Sequence, residues 1–254
     1  MRIKKINAIR EKFKKNIPSI GTWQQIPNGS ISEILSNGGY DWVVIDLEHG
    51  SFSLNQLPDL FRAIDLGSAL PLTRLADSTP KDCKQALDAG SGGVIIPMVE
   101  TADQLEKIVD SCCWPPNGNR GVGFSRANLF GKYFNEYNNE AQAPIIVAQI
   151  ESINAVNNLD EILLVKGLDA IIIGPYDLSA SLGITAEFEN KLFIETLSRI
   201  TKKCMEYNIP FGDHIVKPDK NLLNERIEKG YRFIAYSIDS VFLTNSSNIE
   251  DFRT

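Results

Sequence analysis

Asp41-Trp42-Val43-Val44-Ile45-Asp46-Leu47-Glu48-His49-Gly50 is the stretch on which the fold of this chain turns. A short, continuous apolar run rich in β-branched residues suits a strand buried on both faces, as in a parallel sheet covered by helices. The run stops abruptly in charge. Asp46, Glu48 and His49 place three ionisable side chains within four positions at the mouth of that strand. Such groups are costly to hold near a buried sheet unless the site uses them. His49 is also one of only two histidines in 254 residues.

Working outward, the same kind of run recurs along the chain. Strands are expected at 19–24, 41–48, 70–75, 92–99, 144–151, 168–175, 209–215 and 231–238. Helical patterns separate them, among them 30–37, 54–66, 80–89, 102–112, 188–207 and 218–229. Eight β–α units predict an α/β (β/α)8 TIM barrel in preference to a six-stranded doubly wound sheet. Gly21-Thr22-Trp23 follows the start of the first strand where a dinucleotide-binding fold would carry G-x-G-x-x-G. Residues 1–254 are read as one barrel domain, preceded by an amphipathic helix over about 1–15 whose Ile3, Ile6, Ile9 and Phe13 alternate with solvated basic residues. One connection is long. Residues 114–143 carry the turn-rich Pro115-Pro116-Asn117-Gly118-Asn119-Arg120-Gly121-Val122-Gly123 and then Phe124, Phe130, Tyr133, Phe134 and Tyr137, a pattern expected of a lid or a subunit contact.

The net charge of −6 offers no basic face to phosphates, which argues against nucleic acid. No stretch approaches the ~18 apolar residues needed to span a membrane. Cys83, Cys112, Cys113 and Cys204 have no CxxC spacing and read as buried free thiols, so a reducing, cytoplasmic location is expected.

Active sites of such barrels form at the C-terminal ends of the strands. Those ends carry Trp23 and Gln24, then Asp46, Glu48 and His49, then Arg74, then Gln149 and Glu151, then Tyr176 and Asp177. Glu151 and Asp177, from adjacent strands, can converge above the barrel and suit a hard divalent cation, which takes one or two carboxylates and leaves other positions to water and substrate. Each acid, taken alone, suits a cap on the helix that follows it better than a ligand, and the pair together with the strand-two cluster reverses that preference. His49 is the natural proton shuttle. Arg74 suits a carboxylate or an enolate oxygen. Asp88 ends a helix, where its charge opposes the macrodipole, and this suggests a partner such as the His49 imidazole. His214, beside Asp213, is open to a second shuttle role or to a structural or substrate-contact role.

These residues together resemble the HpcH/HpaI aldolases, metal-dependent pyruvate aldolases of the 2,4-dihydroxyhept-2-ene-1,7-dioate type. The resemblance runs from about Gly21 to Ser240. It rests on Gly21-x-Trp23, Asp41 to Gly50, Arg74, Leu87-Asp88-Ala89-Gly90, Ile96-Pro97, Pro115-Pro116-x-Gly118-x-Arg120-Gly121-x-Gly123, Gln149-Ile150-Glu151 and Gly174-Pro175-x-Asp177-Leu178-Ser179-x-Ser181-Leu182-Gly183. It implies a barrel of the phosphoenolpyruvate/pyruvate type, assembled as a homo-oligomer (a hexamer or trimer of dimers) with an exchanged C-terminal helix. It further implies Glu151 and Asp177 as ligands of Mg2+, Mn2+ or Co2+, His49 as acid/base paired with Asp88, and Arg74 on the keto or enolate oxygen. Gln149, Trp23 and Asp46 would line the substrate pocket.

The implied reaction cleaves a 4-hydroxy-2-oxo acid to pyruvate and an aldehyde through a metal-stabilised enolate. The sixth strand has no lysine for the alternative imine route. A related lyase acting on an acyl-CoA or decarboxylating an oxaloacetate-like acid, and a non-catalytic binding barrel, are the competing readings. Thr73-Arg74-Leu75-Ala76, Tyr176, the Asp213-His214 pair and the short tail after Ser240 depart from the family pattern. Tyr176, filling a position that is often small, is read as a substrate contact that shapes the preference for the aldehyde.

Overall fold

Eight parallel strands pair in sequence order, and the eighth returns to the first to close a barrel. The computed structural model describes residues 2–247. The strands are β1 (Ser19–Gln24), β2 (Trp42–Asp46), β3 (Leu70–Arg74), β4 (Gly93–Ile96), β5 (Ile145–Ile150), β6 (Ala170–Ile173), β7 (Phe211–Ile215) and β8 (Phe233–Ile238). Each falls inside its expected range. Strands β2 to β6 end a little earlier than expected, and Glu48 and Glu151 fall just beyond the ends of β2 and β5.

Strand periodicity divides these runs into two cores. Trp42 and Val44 of β2, Leu70 and Leu72 of β3, Ile145 and Val147 of β5, and Phe233 and Ala235 of β8 point inward and fill the barrel. Val43 and Ile45 point outward against α3 (Leu57–Asp65), while Ile146, Ala148, Ile171 and Ile173 pack against the helices of the opposite side. Trp42 stacks on Phe233 at 4.3 Å between ring centroids. A Cβ on Gly21 would fall 2.0 Å from the Trp42 ring, so β1 needs glycine there for the barrel to close around the indole. The same parity carries Asp46, Arg74 and Gln149 to the inward face at the upper end.

Helix α1 (Ile3–Lys14) departs from the solvated helix expected of the N-terminus. Ile6 and Ile9 are fully buried in the barrel's lower core, with Phe13 against it. Its cations reach acids and carbonyls around the strand starts: Arg10 Nε donates to Asp169 Oδ1 at 2.6 Å, Lys12 Nζ to Asp41 at 2.6 Å, and Lys5 Nζ to Ala69 O at 2.8 Å. An apolar stripe at i, i+3 spacing with basic flanks thus plugs the bottom of the barrel.

The remaining helices are α2 (Gly29–Ser36), α4 (Pro80–Ala89), α5 (Ala102–Cys112), α6 (Phe134–Ala141), α7 (Ile153–Asn157), α8 (Leu159–Leu163), α9 (Pro175–Ser181), α10 (Lys191–Glu206), α11 (Lys220–Glu228) and α12 (Asp239–Ser247). In the long connection Trp114 and Tyr137 pack at 5.3 Å around the buried Arg120, whereas Phe124 and Phe130 stay exposed. The part of the tail beyond Ser247 lies outside the described residues. The four cysteines are buried and unpaired. Among the described residues no helix is long and apolar enough to cross a membrane.

Candidate active site

At the upper rim, Asp46 and Arg74 are register partners on β2 and β3. Arg74 Nε donates to Asp46 Oδ1 at 2.8 Å and Nη2 to Oδ2 at 2.7 Å. Burial alone would push the Asp46 carboxyl up, but the hydrogen bonds and charge of Arg74 hold it below its ordinary value. Asp46 is fully buried and uses its remaining capacity locally. Oδ1 accepts from the Glu48 and His49 amides at 3.1 and 3.3 Å, and Oδ2 accepts from Gln25 Nε2 at 3.0 Å. Arg74 Nη1 lies 2.9 Å from Glu48 Oε2. Two of the five N–H donors of the guanidinium are taken by Asp46, and Nη1 meets Glu48 as a charge contact without a hydrogen bond, so the Nη1 side is left to face a ligand.

Glu151 follows the last residue of β5 and is 2% exposed. Its Oε1 accepts from the Met98 amide at 2.7 Å and its Oε2 from Gln149 Nε2. Met98 adopts a left-handed backbone, φ 51°, to present that amide. For a non-glycine residue this conformation costs about 1–3 kcal/mol. A Cβ on Gly174 would fall 2.5 Å from Glu151 Oε2, so the end of β6 is kept bare to admit the carboxylate. Asp177 stands exposed in the first turn of α9. Neither acid caps a helix: Ser152 caps α7 by accepting from the Ala155 amide, and no side chain caps α9. Burial pushes the Glu151 carboxyl up, against the Gln149 and Met98 hydrogen bonds, and the charges of Glu48 and Asp177 push it further. Glu48 is likewise raised by burial, Arg74 and His49 opposing and Asp46 and Asp177 adding. Asp46, Glu48 and Glu151 therefore share one field with Arg74, and Asp177 adds its charge to that of Glu48 and Glu151.

The other expected residues fall around this centre. His49 is exposed on the turn that Asp46 organises. Trp23 is buried at the inner wall with Arg74 Cζ 5.6 Å from its ring centroid, and its Nε1 has no protein partner. Tyr176 is 52% exposed at the rim, edge-on to Phe188 at 5.1 Å. Asp88 is not brought to His49: among the described residues its cation is Arg120, with Nη1 at 3.5 Å from Oδ1. It lines a cavity of about 550 Å³ with Asn55, Lys81, Lys84 and Gln85. Burial raises its carboxyl, with Arg120 and Lys84 opposing. The helix-end charge thus finds its partner in a buried arginine of the long connection. Asp213 does not pair with His214 either. Strand alternation sends it outward to Arg226 Nε at 2.7 Å, while His214 turns in against Trp23 at 4.8 Å. Gln25 and Met98 carry no sequence signal for their roles, since each acts through a tertiary hydrogen bond.

This chain matches the family model described as HpcH/HpaI aldolase/citrate lyase over residues 19–246. It belongs to that family. It is 33% identical over 244 residues to a hydroxypyruvate/pyruvate aldolase of Roseobacter denitrificans, covering 95% of this chain and 94% of the relative. It is 36% identical to a 4-hydroxy-2-oxovalerate aldolase of Novosphingobium aromaticivorans, covering 92% and 89%. The crystal structure of an HpcH/HpaI aldolase/citrate lyase family protein from Burkholderia cenocepacia superposes with a TM-score of 0.90 at 28% identity, covering 98% of this chain and all of that one.

An HpcH/HpaI barrel with this donor set fits a hard divalent cation. Among the described residues no three of His, Cys, Asp and Glu close on one point, and a hard cation such as Mg2+ needs only one or two carboxylates, its other positions going to water and substrate. Glu151 is already oriented by Gln149 and Met98 and is held at a raised proton affinity that a cation would relieve. Gly174 keeps the space in front of it clear.

Proposed function

We propose that this chain is a divalent-cation-dependent aldolase that cleaves a 4-hydroxy-2-oxo acid to pyruvate and an aldehyde, and joins them in reverse. The observation that carries the reading is the inner surface of the barrel mouth. Arg74 lies within charge reach of Glu151 there, Asp177 adds its charge to that of Glu151, and none of the eight strands contains a lysine that could form an imine. The carbon–carbon bond must then break with its electron pair stabilised by charge and not by a protonated imine.

Glu151 and Asp177 would hold the cation, which when bound supplies Lewis-acid polarisation of the substrate's 2-oxo group. Gln149 and the Met98 amide keep Glu151 in place. His49 takes the proton of the 4-hydroxyl. The C3–C4 bond breaks, the aldehyde departs, and the electron pair becomes the enolate of pyruvate, whose negative oxygen faces the N–H groups of Arg74 that Asp46 leaves free. Asp46 fixes the guanidinium from behind. Protonation at C3 then completes pyruvate. Trp23 walls the small end of the pocket, and Tyr176 stands where the aldehyde end leaves the barrel. Mg2+, Mn2+ and Co2+ suit two carboxylates and open positions. The buried free cysteines support a reducing, cytoplasmic location, and exposed Phe124 and Phe130 support a homo-oligomer.

The test is pyruvate release from 4-hydroxy-2-oxopentanoate. Activity is expected with Mn2+, Mg2+ or Co2+ and should vanish on exhaustive chelation. Full turnover in the chelated protein would sink the cation-dependent mechanism.

A further inference from the structure

His214 occupies the inward face of β7, with Trp23 on one side and Arg74 and Asp46 within electrostatic reach. Its Nε2 lies 3.2 Å from the carbonyl of Ser237. A carbonyl only accepts, so Nε2 carries the proton and Nδ1 keeps its lone pair. That carbonyl is turned inward by an irregularity in the sheet. Pairing between β1 and β8 slips after Gly21, and Ser237 takes a left-handed backbone with φ 61°. The same oxygen accepts from Thr22 Oγ1 at 3.2 Å, while Ser237 Oγ donates to Val216 O at 3.0 Å. The Ser237 carbonyl, held in place by its own backbone conformation and by Thr22 and Val216, thus fixes one tautomer of the ring. Burial, with Ser237 opposing and Arg74 adding, lowers the imidazole to about 4, so it stays neutral at pH 7. No hydrogen bond to Nδ1 is made among the described residues, and His214 is half-buried one residue before the end of β7, at the mouth end of the strand.

We propose that His214 is a specificity residue whose Nδ1 accepts a hydrogen bond from a hydroxyl on C3 of the 2-oxo acid, fitting the site to a 3-hydroxy-2-oxo acid such as hydroxypyruvate as well as to pyruvate. This rests on the aldolase reading above. Arg74 addresses the 2-oxo oxygen in that reading, and His214 lies beside Arg74 and Trp23 inside the barrel. It therefore faces the C1–C3 end of the substrate and not the aldehyde end, which leaves past the rim. A neutral acceptor rewards a hydroxyl and gives a second carboxylate nothing. The chemistry is unchanged by the extra group: C3 loses a proton, forms its bond to the aldehyde carbon, and the aldehyde oxygen takes up a proton, while the 3-hydroxyl remains intact.

The test compares hydroxypyruvate with pyruvate as the partner of acetaldehyde, with Mn2+ present, in the wild type and in His214→Leu, His214→Asn and His214→Gln. Leucine removes the acceptor. Asparagine returns an oxygen near the Nδ1 position, and glutamine places its amide at the Nε2 end. The kcat/KM ratio of hydroxypyruvate to pyruvate should fall about 10- to 100-fold in the leucine variant, the scale of one unmet hydrogen bond, and recover in the asparagine variant. If leucine does not fold, the asparagine–glutamine contrast in that ratio decides in the same way. An equal effect on both nucleophiles overturns the assignment of His214 while leaving the aldolase reading intact. A wild type that joins neither nucleophile to the aldehyde overturns both.

Discussion

Arg74 and Asp46 meet as a two-pronged pair, Nε to Oδ1 at 2.8 Å and Nη2 to Oδ2 at 2.7 Å, between adjacent strands of the barrel mouth. This geometry fixes the plane of the guanidinium and so the direction of its remaining N–H groups. Asp46→Ala leaves a nearly buried cation without its main partner and frees the turn that carries His49. The expected result is a loss of about 3–5 kcal/mol in urea unfolding and a fall in pyruvate release of roughly 10²–10³. Near-wild-type turnover in this variant would show that Asp46 does not position Arg74.

His49 stands exposed above that pair, free to meet a substrate hydroxyl. His49→Ala should reduce turnover by roughly 10²–10⁴, with cation-induced thermal stabilisation retained. If that stabilisation is lost, His49 is a ligand and not the acid/base.

The bare end of β6 yields a sharper test of the cation site. Gly174→Ala places a methyl group 2.5 Å from Glu151 Oε2, and the carboxylate must move. Calorimetric titration with Mn2+ should show affinity weakened by about 10–100-fold, the range seen when the surroundings of a metal ligand are altered. Unchanged affinity would place the cation elsewhere.

The neutral state of His214 has a consequence for stability against pH. In the unfolded chain its imidazole binds a proton near 6.5, whereas burial in the fold lowers it to about 4, with Ser237 opposing. The unfolded state therefore binds more protons between those values, and stability falls as pH drops through that window. Asp46 acts lower: its stabilisation is present above its ordinary 3.8 and is lost only as pH falls toward its depressed folded value. The buried carboxyls raised in the fold act in the opposite sense but equally in both proteins, so from pH 7 to pH 4 the urea midpoint of the wild type should fall relative to that of His214→Leu. Parallel curves would mean that His214 is charged in the fold.

Much of this arrangement was legible in the linear sequence because strand chemistry is periodic and local. Apolar runs of β-branched residues set eight strands, and the parity of Trp42, Val44 and Asp46 decides which side chain of β2 reaches the mouth. The positions of Arg74, Gln149 and Glu151 at strand ends follow from the same rule. The basic residues of α1 misled, since a charge beside an apolar stripe looks solvated until the acids and carbonyls around the strand starts are placed beside it.

What the sequence determined by itself was the family, the barrel and the set of polar residues at its mouth, because these depend on residue type and spacing along the chain. The tertiary structure decided who pairs with whom. It took Asp88 to Arg120 and Asp213 to Arg226, each away from the adjacent or expected histidine. It gave Asp46 to Arg74, and it brought the Met98 amide and Gln149 to Glu151. Partnerships between charges depend on distance and direction through a shared low-dielectric space, and those are set only when the eight strands close.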